Sequence, residues 1–208
     1  MNHYSIMKSV IDNLMRRRAD DLVANLVQHL PASGIVVDIG SGTGHNAATL
    51  RQQIPALTCI ECDIADFHVV GSGPIVIGDI LPFQGGSVDA CLLQFILQYP
   101  SNPQGILREA RRVTSAGGVI IVRQTVHGHG LSKMALAVHE LAWGPLAYEF
   151  SRLFAAVPAG ASTYLRPRRL FSQTSLLSLC EATGLHCRSM SVLQNGPGTC
   201  DDVLLVLE

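Results

Sequence analysis

Short apolar runs alternate with longer amphipathic stretches along most of the chain. The short runs predict strands, because four to eight consecutive apolar or β-branched residues between turn signals are typical of buried strands. They are residues 35–39, 57–62, 74–79, 88–94, 118–124, 186–193 and 203–207. Apolar residues at helical spacing, flanked by Pro, Gly or hydroxyl residues, predict helices at 10–30, 45–53, 103–113 and 172–184.

This alternation is typical of βαβ units and predicts an α/β fold with a doubly wound, mostly parallel sheet of seven strands. The last two strands flank a segment with Gly and Pro, 195–202, and we expect them to pair as a hairpin. Residues 125–169 have a helical but irregular pattern that Gly and Pro interrupt. We interpret them as an insert within a single domain that covers 1–208.

Composition excludes several classes of protein. The 208 residues have 48% apolar and 15% charged side chains, which rules out a disordered chain. The formal net charge of −1 lacks the basic excess of a nucleic-acid-binding protein. No signal peptide and no apolar run long enough to span a membrane is visible, and Cys59 and Cys62 form a lone CxxC without a second zinc-type pair. We therefore expect a cytoplasmic protein with buried, reduced thiols and no bound metal.

The strongest local feature is a glycine-rich turn between the first strand and the helix that follows it. Gly40-Ser41-Gly42-Thr43-Gly44 connects the two, with Asp38 just before it. Glycine permits a tight reversal and lets a ligand approach the backbone, and the helix start supplies free N–H groups. Two further acids, Glu61 and Asp63, stand at the end of the second strand, where a carboxylate can accept both ribose hydroxyls. Together these residues predict a nucleotide-type site.

A second segment supports that site. Asp79 ends the third predicted strand, and Leu81-Pro82-Phe83 follows it. A carboxylate beside an apolar wall suits an adenine ring, whose amino group donates a hydrogen bond while its faces stack. We therefore expect adenine to lie here.

Taken together, VVDIGSGTG (36–44), the acidic end of the second strand, GDILPFQGGSVDACLLQ (78–94) and LREARRVTSAGGVIIV (107–122) resemble a class I S-adenosylmethionine-dependent methyltransferase. The resemblance is to the small-molecule, methyltransferase type 11-like branch and covers about residues 30–125. It implies a Rossmann-like seven-stranded sheet whose last strand is antiparallel, and S-adenosylmethionine as the cofactor. The short connection 64–74 departs from the family, which usually has a full helix there.

The resemblance also implies which positions contact the cofactor. In the family the glycine turn holds the methionine part, an acid after the second strand holds the ribose, and an acid with its successor after the third strand holds the adenine. The matching positions are Asp38, Gly40, Ser41, Gly42 and Gly44 for the methionine part, Asp63 for the ribose, Asp79 and Ile80 for the adenine, and Gln94 near the methionine end. Counting from Asp38 instead favours Glu61 for the ribose; we prefer Asp63, because Asp63-Ile64-Ala65 is similar to the family's Asp-Leu-Ser.

Methyl transfer needs alignment more than a dedicated catalytic group, so a general base is optional. The candidates for a base are His127 and His129, which follow the fifth strand in VHGHG. Weaker candidates are Tyr99 and His139. Tyr4 is a candidate for closing the site from an N-terminal lid. The two histidines alone do not make a metal site, because no third ligand is evident.

The acceptor side gives less information. The apolar stretch 131–150, which contains Trp143, either packs on the domain, forms a dimer face or lines a pocket for an apolar or aromatic small molecule. Arg166, Arg168 and Arg169 form a basic cluster that could bind an anionic group, although a solvated loop is the favoured interpretation. The alternatives to a methyltransferase are a non-catalytic or repurposed S-adenosylmethionine-binding protein and, less favoured, an NAD-dependent oxidoreductase.

Overall fold

A computed structural model describes residues 3–64, 70–71, 73, 80–128, 134, 167–193 and 200–208, without the side chains of 3–12 and 14. Its helices are α1 (His3–Leu26), α2 (His45–Gln53), α3 (Pro103–Val113) and α4 (Gln173–Glu181), and a short 3₁₀ turn (Val27–His29) follows α1. Its strands are β1 (Gly34–Ile39), β2 (Leu57–Cys62), β3 (Val88–Gln94), β4 (Thr114–Val126), β5 (Cys187–Leu193) and β6 (Asp201–Leu207).

The strands form one mixed sheet in the order β2-β1-β3-β4-β6-β5. Strands β1 to β4 run parallel to one another, while β6 is antiparallel to both β4 and β5. The mostly parallel sheet, the pairing of the last two strands and the antiparallel direction of the last one are therefore confirmed. Six strands are found among the described residues; the expected strand 74–79 lies outside them.

Helices cover both faces of the sheet, as a doubly wound fold requires. The residues that fill one face come from α3, α4 and alternate positions of the strands, including Leu93, Leu107, Ala110, Leu176 and Leu205. Those that fill the other come from α1, α2 and the remaining positions, including Val23, Leu26, Leu50, Leu92 and Ile121. The period-two alternation of a strand sends neighbouring residues to opposite faces, so Asp38, Gln94 and Arg123 share the α1/α2 face with Val36, Leu92 and Ile121.

Capping residues set the limits of two helices. Asn102 accepts a hydrogen bond from the Gly105 N–H at 3.0 Å, and Pro103 occupies the first turn of α3, where its missing N–H costs nothing. Ser172 and Ser175 form a reciprocal capping box at the start of α4. Gly184, with φ of +76°, ends the turn after α4, so both predicted signals of this helix are confirmed.

Several predicted boundaries differ from the structure, most clearly those of the first helix and of β4. The first helix begins at His3 rather than residue 10, because no Pro or Gly interrupts the earlier residues, and it ends at Leu26 rather than residue 30. Strand β4 continues through residues 125–126, which we had assigned to the insert, because β6 pairs with it as far as Val126 and Asp201. At the other end of the insert, residues 167–169 have no helical structure.

All six cysteines are free thiols, and all except Cys187 are buried. Burial raises the pKa of Cys59 and of Cys62 to about 12, so neither thiol of the CxxC ionises near neutral pH. The prediction of buried, unpaired thiols is confirmed for these two. Among the described residues, no helix is both long and apolar enough to cross a membrane, and no group of three or more His, Cys, Asp or Glu side chains could hold a metal ion.

Candidate functional site

The glycine turn has a backbone that only glycine adopts without strain. Gly40, Gly42 and Gly44 have φ angles of +74°, +54° and +81°. A Cβ on Gly40 would collide with the Ile96 side chain, and one on Gly44 would collide with the Val70 carbonyl. A Cβ on Gly42 would meet no described atom within 4 Å. The turn is therefore tightly packed at both ends and open at its centre, where a ligand has room to approach.

The carboxylate of Asp63 fixes this turn. Its Oδ2 accepts a hydrogen bond from the Gly42 N–H at 2.7 Å, and its Oδ1 accepts one from the Ile64 N–H at 2.7 Å. The Cys62 carbonyl accepts from the N–H groups of Gly40 and Ser41 at 2.8 and 3.1 Å. The end of β2 thus holds the turn after β1 in place, and the carboxylate of Asp63 lies directly beside the open centre of the turn.

Glu61 occupies a different environment. Its side chain is fully buried, and its Oε2 accepts a hydrogen bond from Arg51 Nη2 at 2.5 Å. A Cβ on Gly71 would lie 2.6 Å from the Glu61 carboxylate oxygens, so the loop that follows β2 closes over this side chain. Arg51 also donates to the Cys59 carbonyl at 2.8 Å. The side chain of Glu61 is therefore enclosed by neighbouring residues of the protein.

Asp38 is a buried carboxyl with a strongly shifted titration. It lies opposite Glu61 in the sheet register and is 1% exposed. Burial, and then the negative charges of Glu61 and Asp63, raise the pKa of Asp38 to about 7, against the opposing effect of Arg51. Its Oδ2 has no hydrogen-bond partner among the described residues. Asp38 therefore changes charge near neutral pH and has one oxygen able to accept a bond.

Helix α3 holds the apolar segment that we expect beside adenine. The Leu81 N–H donates to Glu109 Oε2 at 3.0 Å, and Arg112 donates to the carbonyls of Leu81 and Phe83 at 3.1 and 2.9 Å. Leu81 is buried, whereas Ile80 is 70% exposed at the surface. Asp79 lies outside the described residues. Sequence reasoning missed Glu109 and Arg112, although their spacing of three residues on a helix is a signal that they could act together.

The carboxyl ends of β3 and β4 form the other half of this sheet edge. Gln94 ends β3 and is 6% exposed, and neither its amide nitrogen nor its amide oxygen has a partner among the described residues. His127 follows β4, and its Nδ1 lies 2.7 Å from the Gly128 carbonyl. A carbonyl only accepts, so Nδ1 must be the donor, which leaves Nε2 able to take a proton in the neutral ring. The backbone of this residue is held by a bond from its N–H to the Phe171 carbonyl at 2.9 Å.

The other candidates are less informative. His129, His139 and Arg166 lie outside the described residues, as does the side chain of Tyr4. Tyr99 is half-buried in the turn that follows β3. Arg168 is exposed and donates its N–H to the Gln98 carbonyl at 2.7 Å, and Arg169 donates to the Ser101 carbonyl at 3.0 Å. These two arginines attach the segment before α4 to the turn after β3.

Sequence reasoning also missed Arg123. It lies next to Gln94 in the register of β3 and β4 and is 3% exposed. The available signal was a charged residue inside an otherwise apolar strand, GVIIVRQ. Arg123 places a buried cation at the same sheet edge as the glycine turn.

Comparison with known proteins agrees with this geometry. Residues 37–122 match the family model of a methyltransferase domain. An uncharacterised methyltransferase of Mycobacterium leprae is 30% identical over 104 residues, which are 46% of this chain and 39% of that protein. A malonyl-[acyl-carrier protein] O-methyltransferase of Laribacter hongkongensis is 28% identical over 130 residues, covering 52% of this chain and 43% of that protein. The chain thus spans less than half the length of these relatives.

A solved structure supports the fold. Geranyl diphosphate C-methyltransferase from Streptomyces coelicolor, in complex with Mg²⁺, geranyl diphosphate and S-adenosyl-L-homocysteine, aligns with a TM-score of 0.61 at 14% identity. The alignment covers 92% of this chain and 78% of that one. The matched domain, 37–122, contains the glycine turn, Asp63 and the apolar segment held by α3. Residues 37–122 are therefore similar to a methyltransferase domain, and a solved structure with the same fold binds S-adenosyl-L-homocysteine.

Proposed function

We propose that this chain transfers a methyl group from S-adenosylmethionine to a small-molecule acceptor. The observation that carries the proposal is the glycine turn, which Asp63 holds at 2.7 Å and which is open at Gly42. It lies at the carboxyl ends of parallel strands, where doubly wound sheets bind their ligands. The names of the relatives above include methyltransferases that act on an acyl-carrier-bound malonyl group and on geranyl diphosphate, and the second supports a small molecule.

Asp63 is the better candidate for the ribose ligand. Its carboxylate lies beside the open turn, whereas the carboxylate of Glu61 is paired with Arg51 and enclosed by Gly71. A ribose diol donates two hydrogen bonds, and an ionised carboxylate accepts such bonds strongly. We assign the ribose to Asp63 and a supporting role in the β2 loop to Glu61.

The remaining cofactor contacts follow the strand order. Gly40, Ser41, Gly42 and Gly44 would present backbone N–H groups to the methionine part, beside the Asp38 carboxyl. Ile80 is exposed next to the buried Leu81 and offers an apolar surface to adenine. Asp79 remains our choice for the adenine amino group. Replacing it in Asp79→Ala should weaken S-adenosylhomocysteine binding about tenfold, and an unchanged dissociation constant would reject that assignment.

The chain's own groups align the reactants. S-adenosylmethionine, when bound, supplies an electrophilic methyl group on a positively charged sulfur. The turn and Asp63 fix where that methyl group lies, and alignment of this kind can lower a barrier by roughly 7–11 kcal/mol. Where the acceptor must lose a proton, His127 Nε2 is our candidate to take it, and such a base contributes about 10²–10⁴-fold in rate. His129 is the alternative base.

The proposal also covers the acceptor pocket and the cellular compartment of the protein. We assign the apolar insert, 131–165, to the acceptor side and treat 1–208 as a single domain. An apolar or aromatic acceptor would suit this insert. The free thiols are in keeping with a reducing, cytoplasmic setting.

A turnover assay tests the function. The chain is incubated with S-adenosylmethionine and a panel of hydroxyl, amine and acidic-carbon acceptors, and both S-adenosylhomocysteine and the methylated product are measured by mass spectrometry. We expect equal amounts of the two for at least one acceptor class, and a rate about tenfold lower in Asp63→Ala at low cofactor concentration. Binding of S-adenosylhomocysteine without turnover across the panel would instead favour a non-catalytic cofactor-binding protein.

A further inference from the structure

Phe95, directly after β3, has an unusual backbone and unusual neighbours. Its φ of 56° is the one positive value among the described non-glycine residues, and such strain is typical of functional sites. Its N–H donates to the Arg123 carbonyl at 2.7 Å, which holds it at the end of β4. The guanidinium carbons of Arg18 and Arg123 each lie 5.5 Å from the centroid of its ring. The ring of Phe95 therefore has two cations beside it, one from α1 and one from the sheet.

Among the residues that the structure describes, the buried guanidinium of Arg123 makes few bonds. It pairs with Asp202 Oδ2 at 3.4 Å, and the other oxygen of Asp202 accepts from Thr125 Oγ1 at 2.7 Å. Within the described residues, Nε and Nη1 of Arg123 have no hydrogen-bond partner. Burial lowers the pKa of Arg123 more than the attraction of Asp202 restores it. A buried cation with unmet donors is costly, and buried polar groups in proteins are otherwise nearly always bonded.

The unmet hydrogen bonds around Arg123 lie beside the candidate cofactor site. Gln94, its register neighbour on β3, has an unpartnered amide among the described residues. Ile96, next to Phe95, packs so closely on Gly40 that a Cβ there would collide with it. The buried donors of Arg123 therefore occupy the sheet edge that adjoins the methionine end of the glycine turn. That is where an acceptor must lie in order to meet the methyl group.

We propose that Arg123, assisted by Arg18 across the ring of Phe95, binds an anionic group of the acceptor, either a carboxylate or a phosphate. The proposal rests on the function proposed above and narrows its substrate class. Planar guanidinium donors match both kinds of anion, and an anion would satisfy the N–H groups of Arg123 that have no partner among the described residues. The other charges that act on Arg123 are Asp202 and Asp21, which are opposite in sign, and Arg18 itself. Arg18 is exposed on α1, so it can approach a ligand without losing buried contacts.

Calorimetric titration of the full chain saturated with S-adenosylhomocysteine tests this proposal. The probes are hexanoate, hexyl phosphate and the neutral hexanamide, which share one alkyl chain. We expect at least one anion to bind about tenfold more tightly than hexanamide, and the tighter of the two identifies the group that the site prefers. Arg123→Gln should remove that preference. Arg18→Gln should weaken anion binding about threefold, because its guanidinium is exposed and screened by water.

Matched controls separate binding from structure. Arg17→Gln changes an exposed arginine on the same helix and should leave anion binding unchanged. Arg123→Lys retains the charge and should retain part of the preference if the site attracts an anion. If Arg123→Gln does not fold, the anion affinities of Arg18→Gln and Arg17→Gln are compared instead. Both arginines are exposed, so neither replacement should prevent folding.

Three results would overturn the proposal in distinguishable ways. Equal binding of anions and hexanamide by the wild-type complex would reject an anion site while leaving cofactor binding intact. Loss of S-adenosylhomocysteine affinity in Arg123→Gln would show that the guanidinium binds the carboxylate of the cofactor rather than the acceptor. A wild-type chain that does not bind S-adenosylhomocysteine would contradict the proposed function itself.

Discussion

The two halves of this sheet edge carry different kinds of polar side chains. The cofactor half comprises the glycine turn and the carboxyl ends of β1 and β2, and its charged groups are the carboxyls of Asp38, Glu61 and Asp63 with one arginine, Arg51. The acceptor half comprises the carboxyl ends of β3 and β4 and the start of β6. The side chains that define it are Gln94, Gln98, Arg123 and Asp202, and amide and guanidinium groups predominate.

The halves also differ in which groups make hydrogen bonds within the described part of the protein. In the cofactor half, Asp63 and the Cys62 carbonyl bond to successive N–H groups of the turn. In the acceptor half, buried atoms of Gln94, Gln98 and Arg123 have no partner among the described residues. The backbone of the glycine turn is thus held by groups of the protein itself, whereas both halves contain buried side-chain atoms, such as Asp38 Oδ2 and Arg123 Nε, without a partner among the described residues. Replacing a residue of the glycine turn should therefore lower both the free energy of unfolding and the affinity for the cofactor. Replacing an acceptor-side donor should lower the affinity for the acceptor.

The largest expected effect is on the turn itself. Gly44→Ala places a Cβ against the Val70 carbonyl at a φ of +81°, and we expect a loss of about 3 kcal/mol in the free energy of unfolding. Gly42→Ala has a positive φ but open space, so it should lose only about 1 kcal/mol. Urea unfolding of the two variants measures the difference. Equal losses would show that close packing of the turn is unimportant.

A pH series examines the buried carboxyl of the cofactor half. Folding raises the pKa of Asp38 from 3.8 to about 7, so the proton it retains stabilises the fold fully below about pH 4, and this contribution is lost as the pH rises through 7. Between pH 5 and pH 8, wild type should lose about 3 kcal/mol relative to Asp38→Asn, which cannot ionise. Urea unfolding at several pH values measures this difference. If the free energies of unfolding of wild type and Asp38→Asn changed with pH in the same way, the raised pKa of Asp38 would be contradicted.

The assignment of the ribose ligand is sharpened by a pair of acid variants. Asp63→Ala should weaken S-adenosylhomocysteine binding about tenfold, because it removes a carboxylate that supports the turn and faces its open centre. Glu61→Gln should change the affinity by less than about threefold, because the glutamate is already paired with Arg51. Calorimetry compares the two variants with wild type. The reverse order would move the ribose ligand to Glu61.

The smallest effect on cofactor affinity is expected for Arg112, which holds the segment that we expect beside adenine. Arg112→Gln removes the donors to the Leu81 and Phe83 carbonyls and should weaken S-adenosylhomocysteine binding about threefold. Arg108→Gln is the control, since Arg108 is an exposed arginine of the same helix. The same calorimetric titration serves for both. Matching affinities in the two variants would show that α3 does not position this segment.

Local pattern predicted the cofactor half better than the acceptor half. Apolar runs specified the strands, and the glycines specified a turn whose positive φ angles require them. The sequence also places Asp63 at the end of β2, where it bonds to Gly42, whereas its role as the ribose ligand stays a prediction. The extension of β4 to Val126 depends on pairing with β6, which follows much later in the chain, so no local pattern contained it.

The acceptor half depends on contacts between distant residues. The sequence shows a charge in an apolar strand at Arg123, but not that Asp202 approaches it only to 3.4 Å or that Arg18 lies over the same ring. The bond of Glu109 to Leu81 likewise joins a helix to a loop 28 residues earlier. Such contacts depend on tertiary packing, which the spacing of apolar residues along the sequence does not reveal.

Calorimetric titration of the folded chain with S-adenosylhomocysteine, with NAD as the control ligand, tests the central claim most directly. We predict a dissociation constant of about micromolar order for S-adenosylhomocysteine and no measurable binding of NAD. Binding of NAD instead, or no binding of S-adenosylhomocysteine by a folded sample, would contradict the claim that this glycine turn and Asp63 form a methyl-donor site.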